Sequence, residues 1–271
     1  MKRFLSLILA LTMIFGAAGS LAEQAAAPET GNRIPEAGEI ICGFEVKEIR
    51  DFPLAGGKLV HFEHQKTGAP VLWIANESTN RAFEITFRTK PHDDMGLPHV
   101  FEHATLFGSE KYPSSNLFFN ISFQTYNTYL NAYTQDLMTG YPMASLSEAQ
   151  LLKLADFYVD SCFHPMIMSD ESIFRTQAWH YDLPEAEGEL TYEGVVYSEM
   201  TGAMTLEATA LDRANDVTFP GASLSYSYAG LPEAIPEMTW EDVKNFHDLY
   251  YHPSNSFSIL YGQLNDPGAF L

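Results

Sequence analysis

The segment His99-Val100-Phe101-Glu102-His103 constrains this chain more than any other, because its chemistry works only on a helical backbone. Four residues apart on a helix, the two imidazoles stand one above the other, and Glu102, three steps after His99, projects from the same face. Two neutral histidines so placed can hold Zn²⁺ at roughly 2.0 to 2.1 Å, and a neighbouring carboxylate that is not a ligand can take a proton from the bound water. The order His-x-x-Glu-His is that of an inverted-motif zinc hydrolase. Pro98 suits a first helical turn, Gly96 permits a close approach, and Val100, Phe101 and Leu106 supply an apolar face opposite the histidines. None of the other seven histidines repeats the four-residue pairing beside a carboxylate, and His92-Asp93-Asp94 reads as a loop.

Around this helix the pattern alternates between strands and helices. Apolar stretches at residues 58–64, 70–76 and 83–89, with Lys66-Thr67-Gly68 between the first two, predict antiparallel strands. The motif helix is expected over residues 97–107. A strand pair is expected over 129–141 and a helix over 146–162, capped by Ser145 or Ser147. Further helices are expected over 170–180, 194–208 and 239–250, the last opening on a capping box at Thr239-Trp240-Glu241-Asp242. Residues 257–261 form a closing strand. Strands grouped before and after runs of helices predict an α+β fold: a mainly antiparallel sheet with helices packed on one face.

Lys2 and Arg3, the apolar run 4–18 and Ser20-Leu21-Ala22 make residues 1–22 a secretory signal peptide. Export follows, to a secreted, periplasmic or cell-surface location, with no stable membrane span after cleavage. Residues 23–40 lack hydrophobic periodicity and read as a flexible leader. With 15 Lys and Arg against 35 Asp and Glu, the chain has no broad surface for tracking phosphates, which excludes nucleic acid and anionic membranes as partners. Two cysteines, Cys42 and Cys162, rule out a disulfide-dense scaffold and a cysteine-based zinc site. Whether the two pair is open at this stage.

Several separate blocks resemble one family. They are the His99 to His103 motif with Leu106-Phe107-Gly108-Ser109-Glu110-Lys111-Tyr112-Pro113 after it, Leu130-Asn131-Ala132-Tyr133-Thr134, Glu193-Gly194-Val195-Val196-Tyr197-Ser198-Glu199-Met200, Asn245-Phe246-His247, and Tyr251-His252-Pro253-Ser254-Asn255. In that order they are similar to the pitrilysin/insulinase zinc metallopeptidases, in the presequence-protease-like branch, across roughly residues 40–262.

The resemblance implies Glu199 as third zinc ligand beside His99 and His103, one Zn²⁺ per chain, and Glu102 as the base. It implies an edge strand at Asn131 and Ala132 that pairs with the backbone of an unfolded or extended peptide substrate. Residues 41–271 then read as the N-terminal zinc peptidase domain, truncated at its C-terminal end. A homologous C-terminal half, or a partner chain, is expected to complete the enzyme. The alternative function is a non-catalytic or partner-dependent subunit of a two-part peptidase that binds peptide or aids assembly. Glu193 stands six places before Glu199, where some relatives have a helper carboxylate at seven, and is left out of the catalytic set.

Overall fold

A computed structural model describes residues 33–271 apart from Asn116; the signal expected over residues 1–22 lies outside them. The fold is α+β, as the pattern predicts. Short β1 (Ile40–Ile41) leads into β2 (Phe44–Phe52), β3 (Gly57–His64), β4 (Pro70–Ala75) and β5 (Arg81–Phe87). Helix α1 (Leu97–Thr105) carries the histidine motif, and α2 (Leu117–Gln124) follows it. Then come β6 (Asn127–Leu130), β7 (Tyr133–Gln135), β8 (Met138–Ser145), α3 (Glu148–Phe163) and α4 (Glu171–Gln177). A small hairpin of β9 (His180–Asp182) and β10 (Thr191–Glu193) precedes α5 (Val195–Ala203), α6 (Leu206–Thr218), α7 (Trp240–Tyr250) and β11 (Ser256–Tyr261).

Among the described residues, nine strands join one sheet in the order β1-β2-β3-β4-β11-β5-β8-β6, with β7 also pairing with β8. Every pairing is antiparallel except β4 with β11. The closing strand is therefore not marginal: it is slotted between two strands laid down much earlier. Residues of a strand alternate between faces. In β5 the buried set is Arg81, Phe83, Ile85 and Phe87, while Ala82, Glu84 and Thr86 are half-buried on the opposite side.

The buried face meets the helices around Trp73, Phe87, Phe101, Tyr141 and Tyr158, each with essentially no exposure. Helix α3 packs on β5 and β8, begins with Ser147 Oγ accepting from the Gln150 N–H at 3.3 Å, and buries Leu151, Leu154 and Phe157. The capping box at the start of α7 forms as expected.

The single helix expected over 194–208 is two. Met204 has extended backbone, and Thr205 then caps α6 by accepting from the Ala208 N–H. A turn at Pro267–Phe270 follows β11, opened by Asp266-Pro267-Gly268, and Phe270 and Leu271 pack against the core. Cys42 is exposed, Cys162 is buried, and both are free thiols.

Candidate metal centre

Gly96 starts α1. It sits at φ 77°, and its carbonyl accepts from the N–H groups of His99 and Val100. A Cβ here would lie 2.6 Å from the Gly230 Cα, so the helix entrance fits against the 229–230 loop only because both residues lack side chains. Leu97, Val100, Phe101 and Ala104 then bury one face. Phe101 anchors it against α7, with ring centroids 5.9 Å from Phe246 and 4.3 Å from Tyr251. That burial points His99 and His103 the other way.

On α5, Gly194 performs a similar service. A Cβ there would meet the Ala178 carbonyl at 2.3 Å, so the glycine lets α5 start hard against the end of α4. Glu199, one turn along, reaches both histidines: its Oε2 is 3.8 Å from His99 Nε2 and 3.6 Å from His103 Nε2. One ligating atom from each of the three residues falls within 4.8 Å of the others. For comparison, the edge of a tetrahedron of zinc ligands is about 3.3 Å when the bonds are 2.0 to 2.1 Å. Two imidazole nitrogens and a carboxylate oxygen are a donor set that zinc accepts, and small side-chain adjustments bring these three to its radius. The residues fit the metal.

Both histidines are held from behind. His99 Nδ1 lies 3.1 Å from the Ala229 carbonyl, a bond that requires the proton on Nδ1 and leaves Nε2 as the ligating atom. The side chain of Gln177, buried at the end of α4, faces His103 and favours its charged form. Burial, with His99 as a like charge nearby, lowers the His103 pKa and favours the neutral ring a metal needs.

Glu102 is 9% exposed, against 53% for the Glu199 side chain. Burial pushes the Glu102 carboxyl up to about 7; the Thr134 hydroxyl opposes this, and the charge of Glu199 adds to it. A carboxyl poised there can exchange a proton near neutral pH. Thr134 Oγ1 is 2.5 Å from Glu102 Oε2.

Asn131 and Ala132 stand at the corner between β6 and β7 rather than within a strand. Asn131 is exposed and Ala132 is buried. The Asn131 N–H donates to the Pro142 carbonyl, and its own carbonyl accepts from the Tyr158 hydroxyl at 3.1 Å. Glu193 is exposed and takes a 3.4 Å contact from Ser198 Oγ. The sequence reading missed Ala229, Gln177 and Thr134. The first two carry no local signal, since one acts through its backbone and the other across the fold; Thr134 lies inside the quoted Leu130 to Thr134 block but is not marked there as touching the site.

No family model matches the chain. It is 40% identical over 224 residues to protein HypA of Clostridium perfringens, covering 82% of this chain and 23% of that one. It is 34% identical over 262 residues to presequence protease 1 of Arabidopsis thaliana, covering 95% of this chain and 24% of the relative. The crystal structure of pitrilysin superposes with a TM-score of 0.64 at 19% identity, over 83% of this chain and 23% of that one. The chain belongs to the pitrilysin/insulinase family. Within it the chain is presequence-protease-like, a peptidase-family domain that spans about a quarter of the length of the curated relatives it matches.

These family relatives correct the expectation of export. The Arabidopsis thaliana protein is named for chloroplast and mitochondrion, and the presequence proteases of Gibberella zeae, Xenopus tropicalis and Mus musculus for the mitochondrion, none of them for secretion. A basic, apolar leader resembles an export signal in composition, and the expectation of export rested on that composition alone. Among the described residues no helix is long and apolar enough to cross a membrane.

Proposed function

We propose that this chain is the metal-holding domain of a zinc endopeptidase that hydrolyses extended peptides, with His99, His103 and Glu199 as ligands and Glu102 as the base. The observation that carries the reading is the convergence of three ligating atoms from two helices within 4.8 Å, beside a buried carboxylate that is not among them. Zinc held there supplies Lewis-acid chemistry, acidifying water and polarising a carbonyl. Glu102 takes a proton from the attacking water and returns it to the leaving amine, a task its elevated pKa suits. The outer edge of β6, ending at the Asn131–Ala132 corner, offers an extended peptide a strand to pair with. At that corner the carbonyl of Asn131 keeps its second lone pair.

A partner-dependent reading is favoured by one observation: the relatives are about four times as long as the stretch matched. We place the wall opposite this site on a homologous second half or a separate chain.

Elemental analysis after dialysis tests the ligand set, with one zinc per wild-type chain expected and reduced occupancy in His99→Ala, His103→Ala and Glu199→Ala. A wild type without zinc, or a Glu199→Ala variant with full zinc, overturns it. Glu102→Gln should keep the metal and lose about 10²- to 10⁴-fold in peptide turnover. Turnover by Glu102→Gln near the wild-type rate would remove Glu102 from the base role.

A further inference from the structure

Thr134 is 32 residues from Glu102 in the chain, and its hydroxyl has three oxygen neighbours: Glu102 Oε2 at 2.5 Å, Thr139 Oγ1 at 3.3 Å and the Pro98 carbonyl at 3.4 Å. A hydroxyl has one proton to give. An ionised carboxylate only accepts, and the bond to it is short and charge-assisted, so the proton goes to Glu102 and not to the distant Pro98 carbonyl. The lone pairs of Thr134 then face Thr139, whose Oγ1 is in turn 2.8 Å from Thr89 Oγ1. Thr89 and Thr139 have no exposed surface, so water does not compete for their hydroxyls. Donation running from Thr89 to Thr139 to Thr134 to Glu102 polarises each hydroxyl for the next.

The backbone fixes this row. Thr134 is paired directly with Thr139 in the β7–β8 ladder, so its position follows from strand register rather than from a free loop.

We propose that Thr134 is the positioning residue for the reaction base: it fixes one carboxylate oxygen of Glu102, Oε2, and so leaves Oε1 as the oxygen that receives the proton. The inference rests on Glu102 being the base. Thr134 does not itself touch the reacting atoms. Its contribution is orientational, and a base displaced by about 1 Å can cost roughly 100-fold in rate.

Two readouts test it. In infrared difference spectra of the metal-free chain, the carboxylate stretch of Glu102 is identified by its absence in Glu102→Gln. Thr134→Val, which keeps the shape and removes the hydroxyl, should shift that band, while Thr134→Ser should leave it in place. In the zinc-loaded protein, with its second half if turnover needs it, Thr134→Val should lower kcat about tenfold or more. KM and zinc content should stay within about twofold, and Thr134→Ser should recover kcat to within about threefold. An unshifted band in Thr134→Val, wild-type kcat in that variant, or a Thr134→Ser variant as impaired as Thr134→Val overturns the inference. Wild-type turnover by Glu102→Gln is the separate signature of failure of the base reading, and it takes this inference down with it.

Discussion

His247 is a histidine with a structural task and a pH signature of its own. Its ring lies 5.4 Å from that of Phe101 and stacks on Tyr251, and its Nε2 bonds the Cys162 carbonyl at 3.1 Å. Burial lowers its pKa, and His164 acts in the same direction; the Cys162 carbonyl and Asp248, whose Oδ1 is 3.5 Å from Nδ1, oppose that only in part. In the unfolded chain a histidine titrates near 6.5, so below that pH the unfolded state binds the proton more readily than the folded one. Stability from this residue is therefore fully present above about pH 6.5, is lost as pH falls toward the lowered folded value, and then levels off. Between pH 7.5 and 5.5 the raised Glu102 carboxyl acts in the opposite sense, stabilising the fold as pH falls, so the comparison decides: over that range the urea midpoints of metal-free His247→Gln should fall less, or rise more, than those of the metal-free wild type. Parallel pH dependences for wild type and variant would assign the sensitivity elsewhere, with the lowered His103 the next group to test.

Among the elements, α1 shows what a sequence reveals and what it withholds. The spacing of His99, Glu102 and His103 and the apolar run behind them announce both the helix and its chemistry. Strands β3, β4 and β5 were equally readable: β4 is an unbroken apolar run from Pro70 to Ala75, Leu59, Val60 and Phe62 mark β3, and Phe83, Ile85 and Phe87 alternate along β5. By contrast β2 is interspersed with Glu45, Lys47, Glu48, Arg50 and Asp51 and fully buries only Val46, so its hydrophobic signal is faint. The β9–β10 hairpin and α2 have no fully buried residue, although Leu117, Phe118 and Ile121 of α2 rest half-buried against the core. Glu199 needed the resemblance, because an exposed glutamate on a helix looks like any other until the fold brings it to the histidines.

The entrance to α1 is a point where element and site are tied together. Gly96→Ala would place a Cβ at a positive φ and 2.6 Å from the Gly230 backbone. The helix start must then move away from the loop that bonds His99 through Ala229. We expect a loss of about 1 to 3 kcal/mol in stability, from the strained backbone alone, together with weakened zinc affinity. Urea unfolding and competition with a chelator measure the two. Unchanged zinc affinity in a destabilised Gly96→Ala variant would show that the Ala229 contact does not orient the ligand.

At the scale of the molecule, the proposed metal ligands, the proposed base and a strand edge all belong to this chain, while the chain spans about a quarter of its relatives' length. Excluding water and orienting the scissile carbonyl require surfaces facing the site, and positioning and preorganised charge make up much of an enzyme's rate advantage. Residues 23–271 alone should therefore bind zinc and cleave a quenched extended peptide feebly, with turnover rising by at least about 100-fold when a second half is supplied. Zinc-dependent turnover by the chain alone, unchanged by that addition, would show the facing wall to be dispensable.

The insertion of β11 between β4 and β5 also sets a timetable for biosynthesis. On the ribosome, β1 to β4 emerge as one half of the sheet and β5 to β8 as most of the other, with no hydrogen-bonded seam between them until residues 256–261 leave the exit tunnel. For the time it takes to make some 110 further residues, about 5 to 20 s at ordinary elongation rates, two half-sheets wait with open inner edges. Such edges invite pairing with a neighbouring nascent chain. Of all the seams in the sheet, the two beside β11 are thus the last that the order of synthesis allows to close.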